Sequence, residues 1–355
     1  MRKDSLAFLR ALVEQPSPSG FEQPVQRVIR KHVEKFADEV TTDLHGNVIA
    51  SLNPAGSPRV MFAGHCDQIG MMVTFINDEG YLHFKQIGGI DAAVVSGSKV
   101  TVYSADGAVP GVIGRKAVHL VPARERGKAQ ELSEMWIDIG ARDKKSAQRL
   151  VEIGDPITFE LGMTQMQGQF VVSPGFDDKV GSFVVMEALR LLKSRRPKPK
   201  AAVFAVSTVQ EELGLRGART SCFGIEPKVG IAVDVTHAGD YPGVDKKITG
   251  DISLGKGPVI EKGANINPVV SKMLLDVAKK KKIAHQVAGA PGATGTDANA
   301  IQISRAGVAA GLISIPNRYM HTPVEVVHLE DLENAARLLA EFTAMIDDTV
   351  DFVPS

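Results

Sequence analysis

The chain has 355 residues, 44% of them hydrophobic, so it can bury a substantial core and reads as a soluble globular protein of more than one domain. Lys plus Arg and Asp plus Glu both number 41, which excludes a whole-surface attraction to nucleic acid or to an anionic membrane. Cys66 and Cys222 are too few for a disulfide framework, the N-terminal MRKDSLAFLRALVEQ is charged where a signal peptide is apolar, and no apolar run approaches the roughly 20 residues of a membrane span; a cytoplasmic protein is expected.

Asp4–Val13 carries a helical pattern that PSPSG, Pro16–Gly20, breaks; Val25, Val28, Ile29, Val33 and Phe36 then share one face of a second helix. VTTDLHGNVIASL alternates about His45, Gly46 and Asn47, and RVMFAGH is a short buried strand ending at His65. From Ile69 to Gly168 the character changes. The short runs MMVTFI, YLHFKQI, KVTVYS and VPGVIG are separated by glycines, which predicts an inserted, small β-barrel-like domain over residues 69–168.

Afterwards a helix over Val180–Lys193, the charged linker KSRRPKPK and the strand opening VFAVSTVQEELGLRGA restore an α/β rhythm. KVGIAVDVT is a strand, Val269–Lys282 a helix and VAAGLISI a strand. A last helix over Leu329–Val350 places Leu332, Ala335, Ala336, Leu339, Phe342 and Ile346 on one face. The lysines at 279–282 read as the solvated end of a helix, where they suit its dipole. This alternation predicts an α/β fold in which residues 1–68 and 169–355 form one domain, a mostly parallel central sheet with helices on both faces, interrupted by the insertion.

Ligands of open α/β sheets gather beyond the carboxyl ends of the strands. Here VMFAGHCDQ ends in His65 and Asp67, VFAVSTVQEE in Glu211 and Glu212, GIAVDVTHAGD carries Asp234 and GLISIPNRYMH leads to His321; Asp177 and Asp178 stand just before a helix. Each alone has an ordinary reading: His65 as a satisfied core residue, Asp177 as a helix N-cap, Glu211 and Glu212 as solvent-facing charges, Asp234 as a turn cap, His321 as a loop residue. Together those readings weaken, because carboxylates buried without a counter-charge cost several kcal/mol or become neutral.

Two imidazoles with several carboxylates and no cysteine cluster form a donor set for divalent zinc, cobalt or manganese. An open catalytic site takes about three protein ligands per ion, so the candidates exceed one ion's need. A bridging carboxylate would let two ions about 3.5–4 Å apart share them. Neighbouring side chains of an extended segment point oppositely, so of Glu211 and Glu212 one is expected to bind metal and the other to handle protons.

These residues resemble the dinuclear metallo-aminopeptidases that include glutamyl aminopeptidase and the tetrahedral aminopeptidases, some once labelled endoglucanases. The motifs that carry the likeness are GHCDQIG, SPGFDDKVG, VQEELGLRGA, AVDVTHAGD, GATGTDANAI and IPNRYMHTPVEVVHLEDL, with GVIGRKAVHLVPARERGK and WIDIGARDKKSAQRLVEIGDPITF in the insertion. The resemblance implies that His65, Asp177 and Asp234 hold one metal and Asp177, Glu212 and His321 the other. It further implies that Glu211 is the general base, that Asp67 orients the His65 ring, and that the Asp177–Asp178 peptide is cis. The implied activity is removal of N-terminal residues from short peptides; a deacylase or carboxypeptidase, or a non-catalytic peptide-binding assembly held by metals, are the alternatives. The inserted domain is implied to drive dimers that close into a hollow tetrahedral dodecamer.

Gln68 departs from the family's usual Glu and bears on metal preference or local charge. Cys66 is expected to be a small buried hydrophobe. Thr296 and Asp297 are divided between lining the pocket and capping a helix; Arg318 and Tyr319 are read as at least as much structural as substrate-binding, and His119 as structural. Neither G-x-S-x-G, H-E-x-x-H nor a Walker loop is present.

Overall fold

An eight-stranded sheet is the backbone of the computed structural model, which describes residues 1–123 and 131–354. Across it lie Glu39–Thr42, Val48–Leu52, Ala202–Thr208, Arg59–His65, Val229–His237, Ala309–Asn317, Val259–Gly263 and Gln286–Ala290. The four strands from Ala202–Thr208 to Ala309–Asn317 run parallel, and antiparallel neighbours flank them on both sides. Strands buried on both faces read as unbroken apolar runs. That explains RVMFAGH: Val60 and Phe62 pack with helices Lys3–Val13, Phe176–Ser194 and Leu329–Thr343, whereas Met61 and Ala63 pack with Cys222 and Ile301 from helices Arg216–Ile225 and Asp297–Gln302.

Helix Phe176–Ser194 lies unusually close to strand Arg59–His65. A Cβ on Gly64 would collide with the backbone of Gly181. The Ser182 hydroxyl donates to the Gly64 carbonyl at 2.8 Å, and the Asp178 carboxylate accepts the His65 N–H at 3.1 Å. This contact brings the start of one element against the end of another.

Two boundaries differ from expectation. The last helix ends at Thr343, and the chain goes on in tight turns, Met345 N–H to the Phe342 carbonyl and Ile346 N–H to the Thr343 carbonyl; Ile346 is still buried. The second helix stops at Val33, leaving Phe36 half-buried beyond it.

Within the insertion, Gly70–Ile76, Leu82–Ile87, Trp136–Asp138, Gly107–Gly114, Lys99–Ser104 and Pro156–Phe159 close into a barrel around Met71, Val73, Phe84, Val102, Ile113 and Ile157. Residues 124–128 of the GVIGRKAVHLVPARERGK motif lie outside the described residues. His119 stands exposed in the short turn Val118–Leu120. Thr164–Gln165, Phe170–Ser173 and Glu325–His328 form a small third sheet. No helix among the described residues is long and apolar enough to cross a membrane.

Candidate metal centre

The parallel strands end beside one another and aim polar side chains into one cleft. His65 is the last residue of its strand, and Asp234 lies near the end of the adjacent strand. The third contribution differs from the strand-end expectation. Strand Ala202–Thr208 stops before the glutamates, Gln210 takes a left-handed φ of 53°, and Glu211 and Glu212 lie in the following turn. There the Asp67 carboxylate accepts the N–H of Glu211 at 3.0 Å, the N–H of Glu212 at 3.2 Å and the Ser19 hydroxyl at 2.7 Å. Strand alternation therefore does not govern the pair, and both side chains enter the same cleft. A carboxylate oxygen of Glu211 lies 3.7 Å from His65 Nε2, and one of Glu212 lies 3.4 Å from His321 Nε2.

Asp177 stands between the imidazoles. Its Oδ1 is 3.2 Å from His65 Nε2 and its Oδ2 is 3.1 Å from His321 Nε2, while Asp234 Oδ1 is 3.9 Å from His65 Nε2. The Asp177–Asp178 peptide is cis. His65, Asp177, Glu211, Glu212, Asp234 and His321 thus line one cleft of about 560 Å³. Donor atoms of Asp177, Glu212 and His321 lie within 4.8 Å of one another, and so do donors of His65, Asp178 and Asp234. The Asp178 oxygens, however, already accept backbone N–H groups of His65 and Gly181. Asp177, with one oxygen toward each ring, is better placed to serve both groups.

The electrostatics mark a surplus of negative charge. Burial pushes Glu211 up to about 10, with Asp234, Asp297 and Asp177 adding to the shift against His65. Burial likewise raises Asp234 well above the carboxylate range and raises Glu212. Burial also acts to raise Asp177, but hydrogen bonds from His321 and His65 outweigh it and hold the group low. Asp177 and Glu212 lift His321 to about 11. His65 rises well above the usual range because Glu211 and Asp177 overcome its burial. Among the described residues no Lys or Arg pairs with these carboxylates, and a buried oxygen of Glu212 has no hydrogen-bond partner. Such an oxygen–imidazole set with uncompensated charge fits divalent cations.

The ring orientation expected of Asp67 comes mainly from its backbone carbonyl, with its carboxylate also close to the same ring nitrogen. His65 Nδ1 is 3.0 Å from the Asp67 backbone carbonyl, which accepts from it and leaves Nε2 toward the cleft; the carboxylate is 3.4 Å away and serves the Glu211–Glu212 turn.

The remaining candidates separate clearly. Thr296 caps its helix through the Ala298 N–H at 3.3 Å and also borders the cleft. Asp297 is buried behind it, accepts the Thr208 hydroxyl at 2.6 Å, keeps its other oxygen unpartnered, and is pushed up to about 6 by burial. Arg318 makes a two-pronged ion pair with Asp240 at 2.7 and 2.8 Å, and Tyr319 packs on Tyr241. Cys66 is fully buried in the core. Gln68 turns away from the cleft and accepts a hydrogen bond from buried Lys179, so its departure from Glu alters the partner of that lysine. The sequence reading gives no role to Ser19 or Glu325, whose local patterns match those of surface polar residues, and names Asp178 only beside Asp177; Asp178 and Glu325 accept N–H groups of His65, Asp177 and His321, and Ser19 donates to Asp67.

The model of the M42 glutamyl aminopeptidase family matches residues 46–338. The lysyl aminopeptidase of Pyrococcus furiosus is 37% identical over 352 residues, covering 98% of this chain and 99% of that protein. The structure of a TET aminopeptidase from a marine-sediment Thaumarchaeota archaeon aligns with a TM-score of 0.93 at 36% identity over 97% of each chain. The TET1 peptidase of Pyrococcus horikoshii, which can assemble into a tetrahedron or a large octahedral shell, aligns with a TM-score of 0.85 at 31% identity over 96% of this chain and 100% of that one.

Proposed function

The chain belongs to the M42 glutamyl aminopeptidase family, and from that premise we propose that its cleft removes N-terminal residues from short peptides with two divalent cations, zinc, cobalt or manganese. His65, Asp177 and Asp234 would hold one, and Asp177, Glu212 and His321 the other. The observation that carries this reading is Asp177, with separate oxygens 3.2 and 3.1 Å from the two imidazoles. When bound, such cations polarise a carbonyl and acidify water near neutral pH.

The side chains supply the rest. Among the described residues nothing donates a hydrogen bond to the Glu211 carboxylate, so an oxygen there is free to take a proton from the attacking water and deliver it to the departing amine nitrogen. Asp67 keeps that carboxylate aimed into the cleft by gripping the turn that bears it. The test is a panel of aminoacyl-p-nitroanilides beside their N-acetylated forms. Hydrolysis of free-amine substrates is expected to stop on chelation, to return with cobalt, zinc or manganese, and to vanish when the amine is blocked. Comparable cleavage of blocked substrates would favour the deacylase or carboxypeptidase reading.

The same panel reads the side-chain preference. Apart from the proposed ligands and Glu211, the described residues lining the cleft include Leu215, Val235, Thr236, His237, Thr294 and Met320, with no Lys, Arg, Asp or Glu among them. A charged N-terminal side chain would lose water without gaining an oppositely charged Lys, Arg, Asp or Glu partner from this wall. Leu and Met substrates are expected to exceed Lys and Glu substrates by about 10-fold or more in kcat/KM; parity would show that this wall does not select.

We also propose that residues 69–168 drive dimers that close into a tetrahedral dodecamer. The likeness to TET1 and the exposed Phe75, Val118, Leu120 and Ile153 of the insertion support it. Light scattering is expected to return a particle of about twelve chains, and a monomer would end the idea. The two buried, unpaired cysteines favour a cytoplasmic location.

A further inference from the structure

We propose that Glu325 is a positioning residue that shapes the second cation site by tying together the backbones of Asp177 and His321. This rests on the dinuclear reading above. One Glu325 carboxylate oxygen accepts the Asp177 N–H at 2.9 Å, and the other accepts the His321 N–H at 2.9 Å. The side chain is buried, so both bonds are shielded from water.

The two ligands approach from separate directions. Asp177 follows strand Phe170–Ser173 into its helix, and His321 lies in the loop between strands Ala309–Asn317 and Glu325–His328. The small sheet sets Ser173 opposite Glu325, which brings the carboxylate to both loops at once.

The two imidazoles are held by different means. The ring of His65 is fixed through Nδ1 and the Asp67 carbonyl. His321 engages Asp177 through Nε2, but among the described residues its Nδ1 has no hydrogen bond of the kind that fixes His65; that edge faces Gly89, where an added Cβ would sit 3.3 Å away. Its backbone has a φ of 62°, a left-handed conformation that a non-glycine residue keeps only where its surroundings impose it. Glu325 supplies that constraint from the main chain, and the same carboxylate sets the position of Asp177.

The test is cation binding by the full-length Glu325→Gln variant, measured by zinc titration against a competing chelator and by elemental analysis. Glutamine offers one acceptor oxygen and turns an amide N–H toward the other backbone donor. The expected result is a second zinc equivalent weakened by about 10- to 100-fold and a first, which depends on the clamp only through Asp177, weakened less. Glu325→Asp, which keeps both oxygens but is shorter by one methylene, should fall between. Parent-like binding of both equivalents, or equal weakening of both, overturns the proposal. Should the variants fail to fold, amide exchange in the metal-free parent decides: the Asp177 and His321 N–H groups are expected to be protected like strand amides, and free exchange refutes the clamp. A parent that binds fewer than two equivalents would instead refute the dinuclear reading, leaving the exchange experiment to judge Glu325.

Discussion

Glu211→Gln is expected to lower kcat by about 10²- to 10⁴-fold while the protein keeps the metal content of the parent. The substitution is nearly isosteric and removes only the capacity to take a proton. Glu211 reaches the cleft from a turn whose N–H groups are held by Asp67, and those bonds involve its backbone, so they survive the change. Metal analysis, circular dichroism and anilide kinetics on one preparation separate the possibilities. Loss of turnover with loss of metal would make Glu211 a ligand, and near-parent turnover would remove it from the chemistry.

Asp177→Asn is expected to have a larger effect, taking both turnover and metal content to background. Every other proposed ligand serves one group of donors, whereas Asp177 presents one oxygen to His65 and the other to His321. Asparagine has a single acceptor oxygen and no charge, so it cannot face both rings in the same way. It also removes a carboxylate that the two imidazoles hold ionised despite burial. Its backbone N–H remains available to Glu325, so the fold around helix Phe176–Ser194 should persist by circular dichroism. Retention of one full zinc equivalent would show that the two groups of donors do not depend on a shared bridge.

The contrast between Glu212 and Glu325 shows what local pattern could and could not reveal. Glu212 stands in a pair of carboxylates after an apolar run, a placement that ordinary surface chemistry explains poorly, so local pattern alone makes it a candidate. Glu325 stands in TPVEVVH, where no local feature marks it, and its value comes from the pairing with Ser173 in a remote strand. Register between distant strands is set by tertiary packing. Strand alternation predicts that the glutamate pair diverges, but the strand ends at Thr208 and a left-handed Gln210 turns both carboxylates into one cleft. The insertion behaved similarly. Four glycine-bounded apolar runs were legible, whereas Trp136–Asp138, only three residues long, is too short to show a period and counts as a strand only because barrel closure pairs it on both sides.

By itself the amino-acid order determined the α/β class, the placement of the inserted β segment, and the polar groups waiting at the ends of RVMFAGH and GIAVDVT, since periodicity and abrupt changes of polarity are local properties. Only the tertiary structure decided which oxygen faces which imidazole, that Asp67 grips the glutamate turn, and that Glu325 joins two loops. Those choices depend on distances between chain segments remote in sequence, which hydrogen bonding and close packing set once the sheet has formed.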